Sequence, residues 1–186
     1  QWRMELASLR LEGIDPYPHS SSMTHSILEA RGRRPLGTIR VAGRVMSIRS
    51  LGGSIFIDLH DDGAKLQVYI KRDLFGDSYT TLRERVRRGD IVEFEGTLFV
   101  TRRGELTLLA SSFKLLSKAL LPLPTAWFGI KNVEERYRKR YLDLLLNNEI
   151  LALFKTRSKA IAAIRQFMSE EGYVEVETRT IQPVYG

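Results

Sequence analysis

The order in which hydrophobic periodicity changes between residues 36 and 116 constrains this chain more than any other feature. Three stretches of period two are followed by one of helical period and then by two more of period two. The first covers residues 38–46, where Gly43 is read as a bend or bulge. In the second, Ile55, Ile57 and Leu59 alternate with Phe56, Asp58 and His60. The third sets Leu66, Val68 and Ile70 against Lys65, Gln67, Tyr69 and Lys71. Asp61-Asp62-Gly63 lies between them, and these residue types suit the positive φ of a tight hairpin. Phe75, Tyr79, Leu82 and Val86 then recur at helical spacing, with Gly89 placed to end the helix at its C′ position. In the fourth strand, Val92, Phe94, Gly96, Leu98 and Val100 should face inward. Arg102-Arg103-Gly104 turns the chain into the fifth, which buries Leu106, Leu108 and Ala110.

Three strands, a helix and two strands within this length is the order of a five-stranded Greek-key barrel of the OB type, with the helix plugging one end. The expected fold is therefore mainly β with helices. Before the barrel, residues 1–35 read as a helix carrying Met4, Leu6 and Leu9. An extended Ile14-Asp15-Pro16-Tyr17-Pro18 lead-in follows, and then a short helix near residues 24–30. Residues 117–132, SKALLPLPTAWFGIKN, form a proline-containing apolar linker. From residue 133 the chain turns helical, with Tyr137, Tyr141, Leu144 and Leu145 beside the cations Arg136, Arg138, Lys139 and Arg140. A run of this kind is more often a solvated helix face than an RNA contact. Asn147-Asn148 breaks that helix, a second helix ends at Gly172, and residues 173–177 alternate as a strand. The apolar faces of this last helix and strand need a larger domain or another chain to cover them.

Composition narrows the function classes. Cys is absent and His19, His25 and His60 lack ligand spacing, so neither disulfides nor a metal site is expected. No apolar run is long enough for a membrane span or a signal peptide, which makes a cytoplasmic location the default. The 29 Lys+Arg against 22 Asp+Glu, a net charge of +7, would attract polyanions. The face of the hairpin that should be solvated carries Phe56, Tyr69, Gln67, Lys65 and Lys71, a set suited to stacking on bases and holding phosphates. From the hairpin alone, an ordinary half-exposed surface explains these residues equally well.

The segments LEGIDPYP, VAGRVMSIR, FIDLHD, LQVYI, GELTLLA, SKALLPLP, ERYRKRYLDLLLN and IRQFMSEEGYVEVET make the resemblance specific. Together they resemble the N-terminal part of a class II lysyl-tRNA synthetase of the bacterial type, from Leu11 almost to Gly186. The barrel and the Arg-Tyr-Leu-Asp-Leu element are shared with aspartyl- and asparaginyl-tRNA synthetases, while the proline-rich start and the linker point to the lysyl enzymes. The resemblance implies an anticodon-binding barrel in which Phe56 stacks on the middle base and Gln67 bonds its edge. It further implies that Glu105 contacts the first base and that Arg49 belongs to the same cluster. Strand parity turns Phe56, Gln67 and Glu105 outward, and Arg49 only if Gly43 shifts the register. Arg44, Lys65 and Lys71 are candidate phosphate contacts.

Residues 161–181 resemble the first signature motif of class II synthetases, the dimer-interface helix and strand. This assigns Ile164, Phe167, Met168, Gly172, Val174, Val176 and Arg179 to that interface. The motif's proline corresponds to Arg179, and proline fixes a backbone that arginine leaves free. The parent enzyme implied is a homodimer that uses ATP and Mg2+ to attach lysine to tRNA-Lys through a lysyl-adenylate. The second and third motifs, which hold ATP, have no counterpart within these residues, nor is there a glycine-rich phosphate loop. No catalytic residue is assigned, and the 186 residues alone are expected to be inactive. The rivals are an aspartyl or asparaginyl enzyme and a freestanding OB-fold RNA-binding protein.

Overall fold

In the computed structural model, residues 2–33, 35–124, 130 and 132–178 are described. They fall into two compact units, residues 1–126 and 127–186. The first unit is built around five strands, β1 (Thr38–Leu51), β2 (Ser54–Asp61), β3 (Ala64–Lys71), β4 (Ile91–Val100) and β5 (Leu106–Ser117). They close into a barrel in the order β1-β2-β3-β5-β4. All neighbours are antiparallel except β3 and β5, which pair in parallel over Gln67–Thr107, Val68–Leu108 and Tyr69–Leu109. The order of periodicities thus gave the barrel correctly, as an OB-fold. The β2–β3 turn is as expected, with Asp62 at φ 47° and Gly63 at φ 83°, the signs a type I′ hairpin requires.

Inward-facing Val41, Val45, Ile55, Ile57, Leu59, Leu66, Val68, Ile70, Val92, Phe94, Leu108 and Ala110 form one core. Burial of each aliphatic side chain contributes about 1.5–3 kcal/mol, which holds the alternation in register. Leu98 only packs against the core's edge and Val100 is exposed, because β4 outruns the barrel there. Two helices stand where one was expected, α3 (Arg72–Phe75) and α4 (Ser78–Arg85), preceded by α1 (Trp2–Leu11) and α2 (Ile27–Arg33). Gly76, at φ 57°, breaks the helical run, yet Phe75, Tyr79, Leu82 and Val86 all reach the core.

Two glycines have other roles than the sequence suggested. Gly89 does not end the helix: α4 stops at Arg85 with Val86 extended, and Gly89 sits at φ 102° in the turn before β4. Gly43 is not a bulge. It pairs regularly with Val92, and a Cβ there would meet Ile27 Cδ1 and His60 O at 3.1 Å, so its lack of a side chain admits α2 to the core. The register of β1 against β2 shifts between Val45 and Ser47, and the Arg88 guanidinium takes the Met46 carbonyl at 2.9 Å. α2 begins later than expected because Ser26 and Glu29 form a capping box, with the Ser26 amide donating to the Glu29 carboxylate at 2.9 Å.

The second unit consists of α5 (Val133–Arg138), α6 (Arg140–Leu146) and α7 (Asn148–Glu170). Lys139, at φ −115° and ψ 50°, divides what was expected as one helix. The cations beside the apolar stripe are paired within the unit: Arg138 with Glu134 at 2.7 Å, Lys139 with Glu135 at 2.8 Å, and Arg136 and Arg140 with the buried Asp143 at 2.9 and 2.6 Å. Asn147 caps α7, accepting from the Glu149 and Ile150 amides. At its other end Gly172 N–H donates to Ser169 O and Tyr173 N–H to Met168 O, the paired bonds of a Schellman ending. The expected strand at residues 173–177 does not form. These residues are exposed, and a strand exists only where a neighbour pairs with it. Ile164, Phe167, Met168, Val174 and Val176 are exposed, while Arg179 lies outside the described residues. No described helix is long and apolar enough to cross a membrane.

Candidate nucleic-acid interface

The register places side chains from all five strands in three rows on the outer face of the barrel. One row is Arg49, Phe56, Tyr69 and Leu109. Beside it run Ser47, Asp58, Gln67, Thr107 and Phe99. The third holds Arg44, His60 and Lys65. The shift at Met46 puts Arg49 opposite Phe56, the outward position that parity alone would have denied it.

Phe56 and Tyr69 stack with ring centroids 4.8 Å apart and planes 18° from parallel, and both are half-buried. Phe99 meets Tyr69 at 6.3 Å in a tilted contact. An aromatic strip so placed offers a π-face to an incoming base. Gln67 is outward by parity but only 7% exposed, because its neighbours on the sheet close over it. Thr107 Oγ1, itself buried, donates to Gln67 Oε1 at 3.1 Å and lies 3.2 Å from the Glu105 carbonyl. The solvated amide expected from the sequence is thus a buried one whose oxygen is already bonded, and its N–H groups could donate to an acceptor.

Glu105 is exposed at the β4–β5 connection, and its carboxylate lies 3.8 Å from Lys65 Nζ. Lys65 also faces Asp58 at 3.5 Å, and Arg49 faces the same carboxylate at 3.6 Å. Lys71 is half-exposed and pairs with Asp73 at 3.7 Å. Arg44 donates to the Gly89 carbonyl at 2.8 Å, so its guanidinium serves the turn before β4. Burial holds the His60 imidazole below its usual pKa and Lys65 adds to this, while Asp58 opposes it. His60 is therefore mostly neutral at neutral pH and adds little positive charge to the face. Arg31, on α2, donates to the Lys65 carbonyl at 2.7 Å and extends the basic edge. Asp58 and Thr107 were not singled out from the sequence, although the parity that exposes Phe56 and Glu105 also selects them. Among the described residues no group of three His, Cys, Asp or Glu could hold a metal ion.

Residues 39–116 match the family model of the OB-fold nucleic acid binding domain of tRNA anticodon type, and residues 132–186 match that of class II tRNA synthetases for D, K and N. The lysine–tRNA ligase of Dehalococcoides mccartyi is 40% identical over 98% of this chain and 38% of its own length. Those of Magnetococcus marinus and Pelotomaculum thermopropionicum are 40% and 41% identical over 99% of this chain, and over 39% and 37% of their own lengths. The chain is similar to lysine–tRNA ligases along almost its whole length. It spans well under half the length of these relatives, 37–39%. The ligase resemblance covers both of its units, the barrel and the helices that follow.

Proposed function

We propose that this chain is the anticodon-reading part of a lysine–tRNA ligase, a class II aminoacyl-tRNA synthetase, and that its barrel binds the anticodon stem-loop of tRNA-Lys. The observation that carries this reading is the Phe56–Tyr69 stack beside the Gln67–Thr107 pair and Glu105, on the β2–β3 face of a closed OB barrel. Stacking tolerates any base, whereas the amide of Gln67 and the acceptor-only carboxylate of Glu105 select among base edges. Arg49, Lys65 and Lys71 supply positive charge beside them.

The parent activity in this reading is ATP- and Mg2+-dependent attachment of lysine to tRNA through a lysyl-adenylate, in a cytoplasmic homodimer. No group of three His, Cys, Asp or Glu among the described residues could hold the metal ion, and no step of that chemistry is assigned to them. The exposed apolar side chains of α7 and the following segment, Ile164, Phe167, Met168, Val174 and Val176, would contribute to the dimer interface. Gly172 sets the bend between them, and Arg179 would extend the same motif.

Isolated stem-loops test the reading. At one fixed salt concentration a loop bearing UUU should bind more tightly than one bearing GUC, and Gln67→Ala should cost more when the middle base is U than when it is another base. Equal affinity for the two loops would leave only a general single-strand binder. Tighter binding to GUC would move the chain to the aspartyl enzymes.

Salt dependence separates the cations. Lys71 has one exposed partner, so Lys71→Ala should flatten the log–log salt slope by up to about one contact while leaving loop preference unchanged. Lys65 sits between two carboxylates, so Lys65→Ala should also weaken preference for UUU. Titration across salt for both variants checks this, and identical behaviour of the two would refute it.

A further inference from the structure

The side chain of Asp58 has little access to solvent, at 14%, yet lies at the centre of the outer face. Its Oδ2 accepts from Ser47 Oγ at 2.5 Å. Its Oδ1 is buried with no hydrogen-bond partner among the described residues, and two cations converge on it: Arg49 Nη2 at 3.6 Å and Lys65 Nζ at 3.5 Å. Lys65 continues the chain of charges to Glu105 at 3.8 Å. At these separations the cations are held by charge, outside the ~2.7–3.2 Å range of a formed bond, so their N–H groups stay available to another acceptor. Burial of Oδ1 keeps Asp58 itself away from an incoming nucleotide.

We infer that Asp58 is a positioning residue for base reading: its carboxylate holds Arg49 and Lys65, and through Lys65 the Glu105 side chain, around the Phe56–Tyr69 stack. The inference rests on the anticodon reading proposed above. Two consequences follow from the sign of the charge. Fixed cations contact the loop that fits them with less ordering cost, which favours the cognate loop. A negative charge under the face repels the phosphates of every loop alike, a cost that only the loop able to use the fixed cations offsets.

The test uses the full chain, UUU and GUC stem-loops and Asp58→Asn, which keeps the shape of the side chain and an oxygen for Ser47 while removing the charge. The UUU-to-GUC affinity ratio should fall by about fivefold or more, with GUC binding unchanged or tighter and a steeper salt slope. Adding Lys65→Met to Asp58→Asn should reduce the ratio little further, because the two act as one unit. An equal loss of affinity for both loops would show a merely structural role and overturn the inference, as would an unchanged ratio. If the native chain does not discriminate between the loops, the anticodon reading falls and this inference with it. If it discriminates and Asp58→Asn does so equally, only the inference falls. Should Asp58→Asn fail to fold, Ser47→Ala decides: it frees the carboxylate from its anchor and should lower the ratio in the same direction, and an unchanged ratio overturns the proposal.

Discussion

Replacing Asp90 by Ala is expected to destabilise the first unit by about 3–5 kcal/mol, the range for breaking a buried ion pair by removing one partner. Asp90 is fully buried and accepts from the Arg87 amide at 2.7 Å, the Ala119 amide at 2.8 Å and Lys118 Nζ at 2.9 Å. The Lys118 side chain is fully buried too, and its Nζ also donates to Arg85 O. Without Asp90 this cation would keep only a carbonyl and the more distant Glu5 carboxylate at 3.7 Å, and two amides would lose their acceptor. Lys118 also ties in the lead-in, its amide donating to Pro16 O and its carbonyl accepting from the Tyr17 hydroxyl. The loss is comparable to the whole stability of many domains, roughly 5–15 kcal/mol, so the variant should unfold at much lower urea with a similar m-value. A change below about 1 kcal/mol would mean that the pair is not sealed from water as its burial implies.

Phe56→Ala should weaken binding of every stem-loop by about 1–3 kcal/mol, up to two orders of magnitude in Kd, without altering the order of preference. Phe56 contributes a π-face and no hydrogen bond, and its removal also leaves Tyr69 without its stacked partner. The Tyr69 hydroxyl, 3.2 Å from Ser54 Oγ, still holds that ring on the sheet, so part of the platform should survive. Fluorescence titration with UUU and GUC loops at one salt concentration checks both halves of this expectation. A loss confined to UUU would assign base selection to Phe56 and require a different account of Gln67.

Much of this was legible in the sequence because it depends on period alone. Alternation put Phe56 and Tyr69 on one face, and Asp62-Gly63 set the hairpin that aligns them. What escaped depended on contacts between distant segments. Gly43 carried the signature of a bulge, but the reason for a glycine there is Ile27, which arrives from a helix outside the barrel. The shift that brings Arg49 opposite Phe56 occurs at Met46, a residue with no turn or bulge signal, whose carbonyl is satisfied by Arg88 from beyond α4. Glu93, on the face of β4 opposite Val92 and Phe94, is buried because the segment before α2 folds back and offers it the Ser21 hydroxyl and the Ser22 amide. Gln67 is covered for a similar reason, since its partner Thr107 arrives from a strand that pairing periodicity cannot locate. The strand expected at residues 173–177 had the right alternation but lacks a neighbour to pair with among the described residues.

The parallel seam between β3 and β5 is three residue pairs long, whereas the β2–β3 ladder has eight. The stacked rings belong to that local ladder and come together when a single hairpin forms. Gln67 and Thr107, forty positions apart, meet only when the last gap in the barrel shuts. In the proposed reading, affinity for any base and the part of base choice that rests on Gln67 therefore arise at different stages of folding. A barrel still open at the seam would keep its rings but lack the Gln67–Thr107 pair, one of the elements by which the proposed reading tells one anticodon from another.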